Sequence, residues 1–316
     1  MFASILMLLG GLALLAYASD QFVIGAARVA LLSKVAPLVV GIVVVGFGTS
    51  APEMLVSVLA AVGDNPEVAV GNVVGSNLVN LTVILGIGAL LCPMVVQSQV
   101  VRREAPMVVA ATILFAVTVQ DGFTRIEGII LLVAMAAALT VVLLGSRQGG
   151  AADPLGPETV ELTDPSHHRM GPEVVRTLIG LIGTVGGAQL LLSGALDLAD
   201  RAGLGEGFVG ATLVAIGTSL PELVTVVQSA RRGETDLIVG NLLGSNLFNA
   251  LAVAGLAATI APATLVDATN LTTVATGAAL VVAIAAWVTM RTGNLVSRRE
   301  GMALIAVYLP AVPFLT

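Results

Sequence analysis

Two glutamates follow prolines inside long apolar stretches of the chain. Residues 48–53 read Gly-Thr-Ser-Ala-Pro-Glu, and residues 217–222 read Gly-Thr-Ser-Leu-Pro-Glu. A carboxylate at the centre of a bilayer costs roughly 2.5 to 3.5 kcal/mol, so a glutamate in such a stretch marks a functional site. No lysine or arginine stands in the same stretches to pair with Glu53 or Glu222. Their charges therefore predict a cation site within the membrane.

The spacing around each glutamate places further oxygen atoms beside it. On a helix Thr49 and Glu53 are four residues apart and share one face, as do Thr218 and Glu222. Pro52 has no N–H to donate to the carbonyl four residues earlier, and its ring disturbs that turn. We therefore expect an interrupted helix at each glutamate, with main-chain carbonyls near Gly46 free to bind a cation.

A second duplicated block supplies hydroxyl and amide groups. Residues 71–80 read Gly-Asn-Val-Val-Gly-Ser-Asn-Leu-Val-Asn, and residues 240–249 read Gly-Asn-Leu-Leu-Gly-Ser-Asn-Leu-Phe-Asn. Ser76 and Asn80 lie four residues apart, and the second copy repeats this spacing. The glycines form small-xxx-small patterns that let helices approach closely. Asn77 and Asn246 are expected to hydrogen-bond to the facing helix rather than to bind the ion.

The predicted site contains oxygen ligands and neither thiolate nor imidazole. The single cysteine, Cys92, excludes an internal disulfide, and both histidines, His167 and His168, fall in a polar stretch. Many flexible oxygen ligands suit Na⁺ and Ca²⁺, and they suit Ca²⁺ better than the stricter octahedron of Mg²⁺. The sequence thus predicts transported hard cations, no cofactor and no catalytic centre.

The composition is that of a polytopic membrane protein. Of the 316 residues 57% are hydrophobic and 11% are charged, and the mean hydropathy is +1.01. The few charges lie in short loops and one polar segment, so no face for nucleic acid is expected. Apolar runs of about 20 residues predict ten spans, at about 3–32, 36–62, 68–91, 104–119, 126–145, 173–200, 206–230, 236–260, 269–290 and 299–315.

The two halves of the chain are copies of each other. Residues 5–93 and 174–262, compared without a gap, are identical at 27 of 89 positions. The repeat predicts a first five-helix unit over 1–145, a linker over 146–172 and a second unit over 173–316. Because five spans is an odd number, the two units must enter the membrane from opposite sides. The predicted fold is therefore an all-α membrane protein of ten transmembrane helices in two inverted repeats.

Basic residues predict how this fold is oriented. Twelve of the 14 lysines and arginines fall on or near the side of the 146–172 linker, and only Arg125 and Arg201 fall opposite. Such an excess marks the cytoplasmic face. We therefore expect both termini outside and the linker in the cytoplasm of a cell with the chain in its inner, or plasma, membrane. A monomer in the lipid bilayer is compatible with this pattern.

The two duplicated blocks resemble the α-repeats of the sodium/calcium exchanger family, within the wider cation/calcium antiporter superfamily. The resemblance covers the second, third, seventh and eighth predicted spans. It implies that the ions are bound by Thr49, Ser50, Glu53, Ser76, Asn80, Thr218, Ser219, Glu222, Ser245 and Asn249, with the carbonyls of Gly46 and Ala215. Many microbial members carry aspartate at the position of Asn249, so this chain departs from their pattern there.

The resemblance implies a secondary antiporter that exchanges Na⁺ for Ca²⁺ by alternating access. Exchange of H⁺ for Ca²⁺ and a passive cation channel remain alternatives. An intramembrane hydrolase is disfavoured because both histidines lie in the polar segment, and an ATP-driven pump because the chain has no phosphate-binding GxxxxGK[ST] motif. A dependence of Ca²⁺ flux on an opposing Na⁺ gradient separates antiport from a channel.

Overall fold

The computed structural model describes residues 1–33, 46–97, 100–120, 122–148, 169–265 and 270–312. Helices dominate these ranges. Most of the predicted 146–172 linker lies outside the described residues, as do His167, His168 and the beginning of the second predicted span.

The first half of the chain contains seven described helices and two short strands. These elements are α1 (Phe2–Leu32), α2 (Gly46–Thr49), α3 (Ala51–Val62), α4 (Pro66–Val79), α5 (Leu85–Leu91), β1 (Met94–Val95), α6 (Ala105–Thr118), β2 (Gly122–Phe123) and α7 (Arg125–Gln148). A π-helical turn over Asn80–Ile84 joins α4 to α5, and another over Val100–Glu104 leads into α6.

The second half repeats this order. Its elements are α8 (Met170–Ala202), α9 (Glu206–Val209), α10 (Ala215–Thr218), α11 (Leu220–Arg232), α12 (Thr235–Phe248), α13 (Ala254–Ile260), β3 (Ala263–Thr264), α14 (Thr276–Arg291), β4 (Leu295–Val296) and α15 (Arg298–Ala311). Its π-helical turns are Gly210–Val214 between α9 and α10, Asn249–Val253 between α12 and α13, and Asn270–Ala275 before α14.

Six continuous helical stretches among the described residues are long and apolar enough to cross a membrane. A seventh is formed by Glu206–Thr218 and Leu220–Arg232, which meet at a bend of 41°. These stretches agree with the membrane character expected from the composition. The predicted number of ten spans stays a prediction, because several of the remaining predicted spans are short helices such as α6, of 14 residues.

The long helices α1 and α8 pack directly against each other along their backbones. A Cβ atom on Gly25 would lie 2.8 Å from the backbone nitrogen of Thr177, and one on Gly194 would lie 2.6 Å from that of Leu8. Residue numbers fall along α8 as they rise along α1, so the two helices run antiparallel. Only glycine permits this approach, because contacts under 3.0 Å exclude a side chain.

Two antiparallel strand pairs connect the halves of the chain. β1 pairs with β4 through Met94 and Val296, and β2 pairs with β3 through Gly122 and Thr264. The sequence did not predict these strands in an all-α fold. Each contains two residues, which is too short for the alternation of apolar and polar side chains that identifies a strand.

The centre of the protein is formed by the two stretches that carry the second duplicated block. In Pro66–Leu91 and in Thr235–Ile260, 83% of the most apolar window is buried, compared with 17% in Arg125–Val142. Buried valine, leucine and alanine side chains of these stretches form one hydrophobic core with those of neighbouring helices. Polar side chains on them are therefore held away from both lipid and water.

Candidate ion-binding site

The predicted interruptions occur one residue after each threonine of the first block. α2 ends at Thr49 and α3 begins at Ala51, so that Ser50, with φ −92° and ψ 9°, separates the two helices. Ser219 separates α10 from α11 in the same way, with φ −83° and ψ 6°. Each proline then occupies the first turn of the following helix, where its missing N–H costs no hydrogen bond.

This geometry places each glutamate in the first turn of a new helix. Glu53 lies in the first turn of α3, and Glu222 lies in the first turn of α11. A helix N-terminus carries a partial positive charge that favours a nearby carboxylate. The helix break thus supplies part of the stabilisation that two buried carboxylates need.

Both carboxylates are completely buried and only partly hydrogen-bonded. Glu53 Oε1 accepts a hydrogen bond from the Ser219 hydroxyl at 3.3 Å, and Glu222 Oε1 accepts one from the Ser245 hydroxyl at 3.2 Å. Among the described residues, the Oε2 atom of each glutamate has no hydrogen-bond partner. None of the ion pairs found in the described ranges involves either residue. The two glutamates are therefore acceptors suited to a cation.

The two asparagines of the second block begin π-helical turns. Asn80 is the first residue of the turn after α4, and Asn249 is the first residue of the turn after α12. π-Helical turns are rare and occur frequently at functional sites. Both side chains are fully buried, and within the described part of the chain neither the oxygen nor the nitrogen of either carboxamide has a hydrogen-bond partner. Their oxygens remain able to bind a cation.

The hydroxyl groups of the site differ in their contacts. Ser76 Oγ lies 3.5 Å from Thr218 Oγ1, which brings the two halves of the chain together. The hydroxyls of Thr49 and Ser50 are buried without a hydrogen-bond partner among the described residues. Serine and threonine in membrane helices usually hydrogen-bond to the backbone of their own helix. These two hydroxyls do not, and their oxygens remain available to bind an ion.

The two predicted main-chain ligands begin the short helices that precede the glutamates. Gly46 is the first residue of α2, and Ala215 is the first residue of α10. The Ala215 carbonyl accepts hydrogen bonds from the Ser219 N–H at 3.0 Å and from the Thr218 hydroxyl at 3.3 Å. Thr218 has one hydroxyl hydrogen, which it shares with Asn72 Oδ1 at 3.1 Å, so the Ala215 carbonyl keeps a lone pair that can bind an ion.

The expectation for the middle asparagines of the second block was wrong for Asn246. Its amide donates to the Leu242 carbonyl of its own helix at 2.7 Å, not to the facing helix. The Oδ1 atoms of Asn246 and Asn77 are buried without a partner in the described ranges. A side chain four residues from a carbonyl on the same helix reaches it more easily than a neighbouring helix.

Sequence reasoning assigned no role to Asn72 and Ser57. Asn72 is fully buried, and its amide donates to Ser57 Oγ at 2.9 Å and to the Glu53 carbonyl at 3.2 Å. Its Oδ1 accepts a hydrogen bond from Thr218 at 3.1 Å. The available signal was the position of Asn72 one helical turn before Ser76, on the same face of α4.

The described residues contain no group of three or more His, Cys, Asp or Glu side chains that could hold a metal ion. A cation at Glu53 and Glu222 would therefore complete its coordination with neutral hydroxyl, amide and carbonyl oxygens. Two carboxylates balance one Ca²⁺ in charge, and Ca²⁺ accepts six to eight oxygen ligands in flexible geometry. The arrangement can bind hard cations away from water.

Comparison with known proteins identifies the family. The family described as "Sodium/calcium exchanger protein" matches residues 3–144 and 173–316. The chain belongs to this family. Among the relatives of this chain, the "Putative antiporter CaxA" of Alkalimonas amylolytica is 37% identical, with 83% of this chain and 82% of that protein covered. The "Sodium/calcium exchanger MaX1" of Methanosarcina acetivorans is 26% identical over 96% of both chains.

A solved structure shows that the similarity extends to the fold of this chain. The sodium-calcium exchanger NCX_Mj, soaked with Na⁺ and Sr²⁺, matches with a TM-score of 0.66 and 28% sequence identity, over 99% of this chain and 98% of that chain. The family consists of cation/calcium antiporters, and the chain is a membrane transporter of that kind. The mostly helical fold agrees with this similarity.

Proposed function

We propose that this chain is a secondary antiporter that exchanges Na⁺ for Ca²⁺ by alternating access and is not an enzyme. The observation that carries the proposal is the pair of fully buried glutamates, each with one carboxylate oxygen that no described residue satisfies. Buried charges are stable only when they are paired or bind a metal ion. Transported cations provide that pairing here.

The ion ligands proposed are those of the two duplicated blocks. Ser219 and Ser76, which contact Glu53 and Thr218 of the opposite half, support a single composite site. The proposed set comprises Gly46, Thr49, Ser50, Glu53, Ser76, Asn80, Ala215, Thr218, Ser219, Glu222, Ser245 and Asn249. We assign side-chain oxygens to the ions throughout, except at Gly46 and Ala215, where the carbonyl is the ligand.

Two packing features support ten helices in two inverted five-helix repeats. α1 and α8 occupy equivalent places in the two halves and run antiparallel, as a two-fold axis in the membrane plane requires. The strand pairs follow the same symmetry. β1 and β3 come after equivalent helices, and each pairs with a strand of the opposite half, β1 with β4 and β3 with β2. The repeats correspond to residues 1–145 and 173–316, on either side of a 146–172 linker.

The distribution of basic residues supports the orientation. The chain lies in the plasma membrane as a multi-pass protein with both termini outside and residues 146–172 in the cytoplasm. Its partners are Na⁺, Ca²⁺ and the lipid bilayer, and a monomer contains the complete site.

A second candidate is exchange of H⁺ for Ca²⁺. The observation that favours it is the complete burial of both carboxylates, since a proton neutralises a buried carboxylate as a cation does. The names of two similar proteins, a sodium/calcium exchanger and the sodium-calcium exchanger NCX_Mj, favour Na⁺.

The test is Ca²⁺ uptake into proteoliposomes that contain the purified chain. We expect uptake when the vesicles hold Na⁺ inside and little outside, and no uptake when Na⁺ is equal on both sides. Uptake driven only by a pH gradient would replace the proposal by H⁺ exchange. Uptake without any opposing gradient would indicate a channel. Glu53→Gln and Glu222→Gln vesicles serve as controls for leakage.

A further inference from the structure

A hydrogen-bonded set beside the ion site links the two halves of the chain. Asn72 donates to Ser57 Oγ and to the Glu53 carbonyl, and it accepts from Thr218 of the opposite half. Ser57 in turn donates weakly to the Ala69 carbonyl at 3.5 Å. Ser57, Asn72 and Thr218 are all fully buried. We call these three residues the Asn72 clasp.

The donors and acceptors of the Asn72 clasp allow only one orientation of the amide. The nitrogen faces two acceptors on α3, so the oxygen is left to face Thr218 on α10. Thr218 is thereby held against α4, where Ser76 also approaches it at 3.5 Å. The clasp thus positions one proposed ion ligand of the second half against the first half.

The neighbouring backbones are in contact on the same side of the site. A Cβ atom on Gly71 would lie 2.8 Å from the Ala211 nitrogen, and one on Gly75 would lie 2.6 Å from the Ala211 Cα. α4 and the segment 207–211 therefore meet without space for a side chain. The clasp and this close contact together hold residues 207–211 and Thr218 of the second half against α4 of the first half.

The equivalent set in the other half of the chain is incomplete. The two copies of the repeat are offset by 169 residues. The position equivalent to Thr218 is Thr49, the one equivalent to Asn72 is Asn241, and the one equivalent to Ser57 is Val226. Valine has no hydroxyl to accept the amide. Accordingly, Asn241 Nδ2 and Thr49 Oγ1 are buried atoms that no described residue hydrogen-bonds. The two halves therefore have the same threonine and asparagine, and they differ at the position of Ser57, whose hydroxyl accepts the asparagine amide.

We propose that Ser57 and Asn72 are positioning residues that bias the transporter toward the state closed on the face of residues 207–211, and that Val226 weakens the corresponding closure on the other face. This inference rests on the proposed function, because alternating access requires the two halves to exchange conformations. In the opposite state Thr49 approaches Asn241, whose amide has no serine to orient it. The difference of one residue makes the two access states unequal.

The decisive variant adds a hydrogen bond and does not remove one. Val226→Ser gives Asn241 the acceptor that Asn72 already has, so it stabilises the opposite state. Ser57→Ala removes an acceptor from Asn72 and destabilises the observed state. Both changes shift the population in the same direction, and Ser57→Ala/Val226→Ser shifts it further. Ser19→Ala is the matched control for Ser57→Ala, because it removes a buried hydroxyl of α1 that hydrogen-bonds, among the described residues, only to Ala16 of its own helix.

Hydrogen exchange of the full-length protein in nanodiscs, followed by mass spectrometry, measures this shift without any transport. Residues 207–211 pack against α4 in this structure, and under the proposal they separate from it in the opposite state. We therefore expect amides 207–214 to exchange about three- to tenfold faster in Val226→Ser and in Ser57→Ala, the range that one hydrogen bond supports. Amides 184–195 of α8 should keep their rate. Ser19→Ala should leave residues 207–214 unchanged.

If Ser57 and Asn72 only stabilised the folded protein, the pattern of hydrogen exchange would differ. Faster exchange in Ser57→Ala throughout the protein, with no change at 207–214 in Val226→Ser, would overturn the proposal. In vesicles of known orientation, the half-saturating Ca²⁺ concentration should fall on the face of residues 207–211 and rise on the other face in both variants, because apparent affinity scales with the population open to that face. Failure of Na⁺ to drive any Ca²⁺ uptake would refute the proposed antiport, while the exchange pattern would still test the bias.

Discussion

The Ser219 hydroxyl donates a hydrogen bond to Glu53 across the boundary between the two halves of the chain, at 3.3 Å. Serine at a helix break is free to point away from its own backbone, and here it reaches the carboxylate of the opposite half. The same carboxylate keeps its second oxygen buried without a partner among the described residues. The second half therefore contributes a hydrogen bond to the buried carboxylate of the first half, and under the proposed function single substitutions should affect a shared site.

We expect Glu53→Gln and Glu222→Gln each to abolish Ca²⁺ uptake or to weaken its apparent affinity more than about tenfold, or 1.4 kcal/mol. Each substitution removes a charge from a fully buried site that holds no described basic side chain to replace the ion. Uptake in proteoliposomes measures the effect. Glu127→Gln is the control, because this half-buried glutamate at the beginning of α7 lies outside the proposed site and is hydrogen-bonded to Thr124. Normal uptake by both buried variants would show that the ions pass elsewhere.

Protons should compete with Ca²⁺ for the two glutamates. Two like charges in one buried site repel each other, and either a cation or a proton relieves the repulsion. We therefore expect the half-saturating Ca²⁺ concentration to rise as the pH falls from about 8 to about 6. Uptake at several Ca²⁺ concentrations separates this competition from a loss of maximal rate. A saturation curve that does not move with pH would contradict the shared site.

Transport should respond to membrane voltage. Two ionised glutamates balance one Ca²⁺, so the loaded site is neutral, and exchange for more than two Na⁺ carries net positive charge on the return step. A potential of 100 mV then changes the energy by about 2.3 kcal/mol per elementary charge. Vesicles clamped with K⁺ and valinomycin should show faster or slower uptake according to the sign of the potential. Equal rates under both clamps would indicate electroneutral exchange.

Asn249→Asp should move the pH optimum of Ca²⁺ transport upward. The change adds a third carboxylate to the region of two buried glutamates, and Asn249 itself is fully buried with no described hydrogen-bond partner. The added group must lose its proton before the site regains its metal-binding form. We expect transport to persist at alkaline pH.

Asn80→Asp is the matched comparison for Asn249→Asp, because both asparagines begin a π-helical turn. We expect Asn249→Asp to change the Na⁺ dependence more than Asn80→Asp does. Identical pH profiles for Asn249→Asp and the unmodified protein would place Asn249 outside the ion site.

Gly194→Ala should destabilise the protein, while Gly186→Ala in the same helix should not. The added methyl group at position 194 would lie 2.6 Å from the Leu8 nitrogen, whereas no described atom lies within 4 Å of the equivalent position at Gly186. Overpacking of this kind typically costs 1 to 3 kcal/mol. Thermal unfolding in detergent compares the two variants. Equal unfolding midpoints would mean that α1 and α8 can move apart without a loss of stability.

The residues of the proposed site could be chosen from sequence because the energetic cost of placing them in a membrane helix is visible there. A proline next to a glutamate in an apolar stretch conflicts with both membrane and helix, and the duplication of Glu53 at Glu222 made the conflict specific. The breaks at Ser50 and Ser219 follow directly from it. The π-helical turns at Asn80 and Asn249 could not be predicted, because they depend on packing between helices and not on a local residue pattern.

The Asn72 clasp shows the limit of reading one copy of a repeat against the other. Identity at Asn72 and Asn241 predicts equivalent roles, yet the role depends on Ser57, fifteen residues earlier, and its counterpart is Val226. The contact joins two helices, so neither helix alone carries a signal for it. Only the packing of α3 against α4 brings the two side chains to 2.9 Å.

The short strand pairs have a mechanical consequence. The pairs β1–β4 and β2–β3 join the two halves of the chain next to the ends of α5, α7, α13 and α15. Slippage of a pair by one residue would turn each paired side chain to the other face of the sheet. The strand pairs thus restrain the positions of these four helices relative to one another. Under the proposed alternating access, we therefore expect the movement in parts that these described strand pairs do not join, among them α1, α8 and the broken helices that carry Glu53 and Glu222.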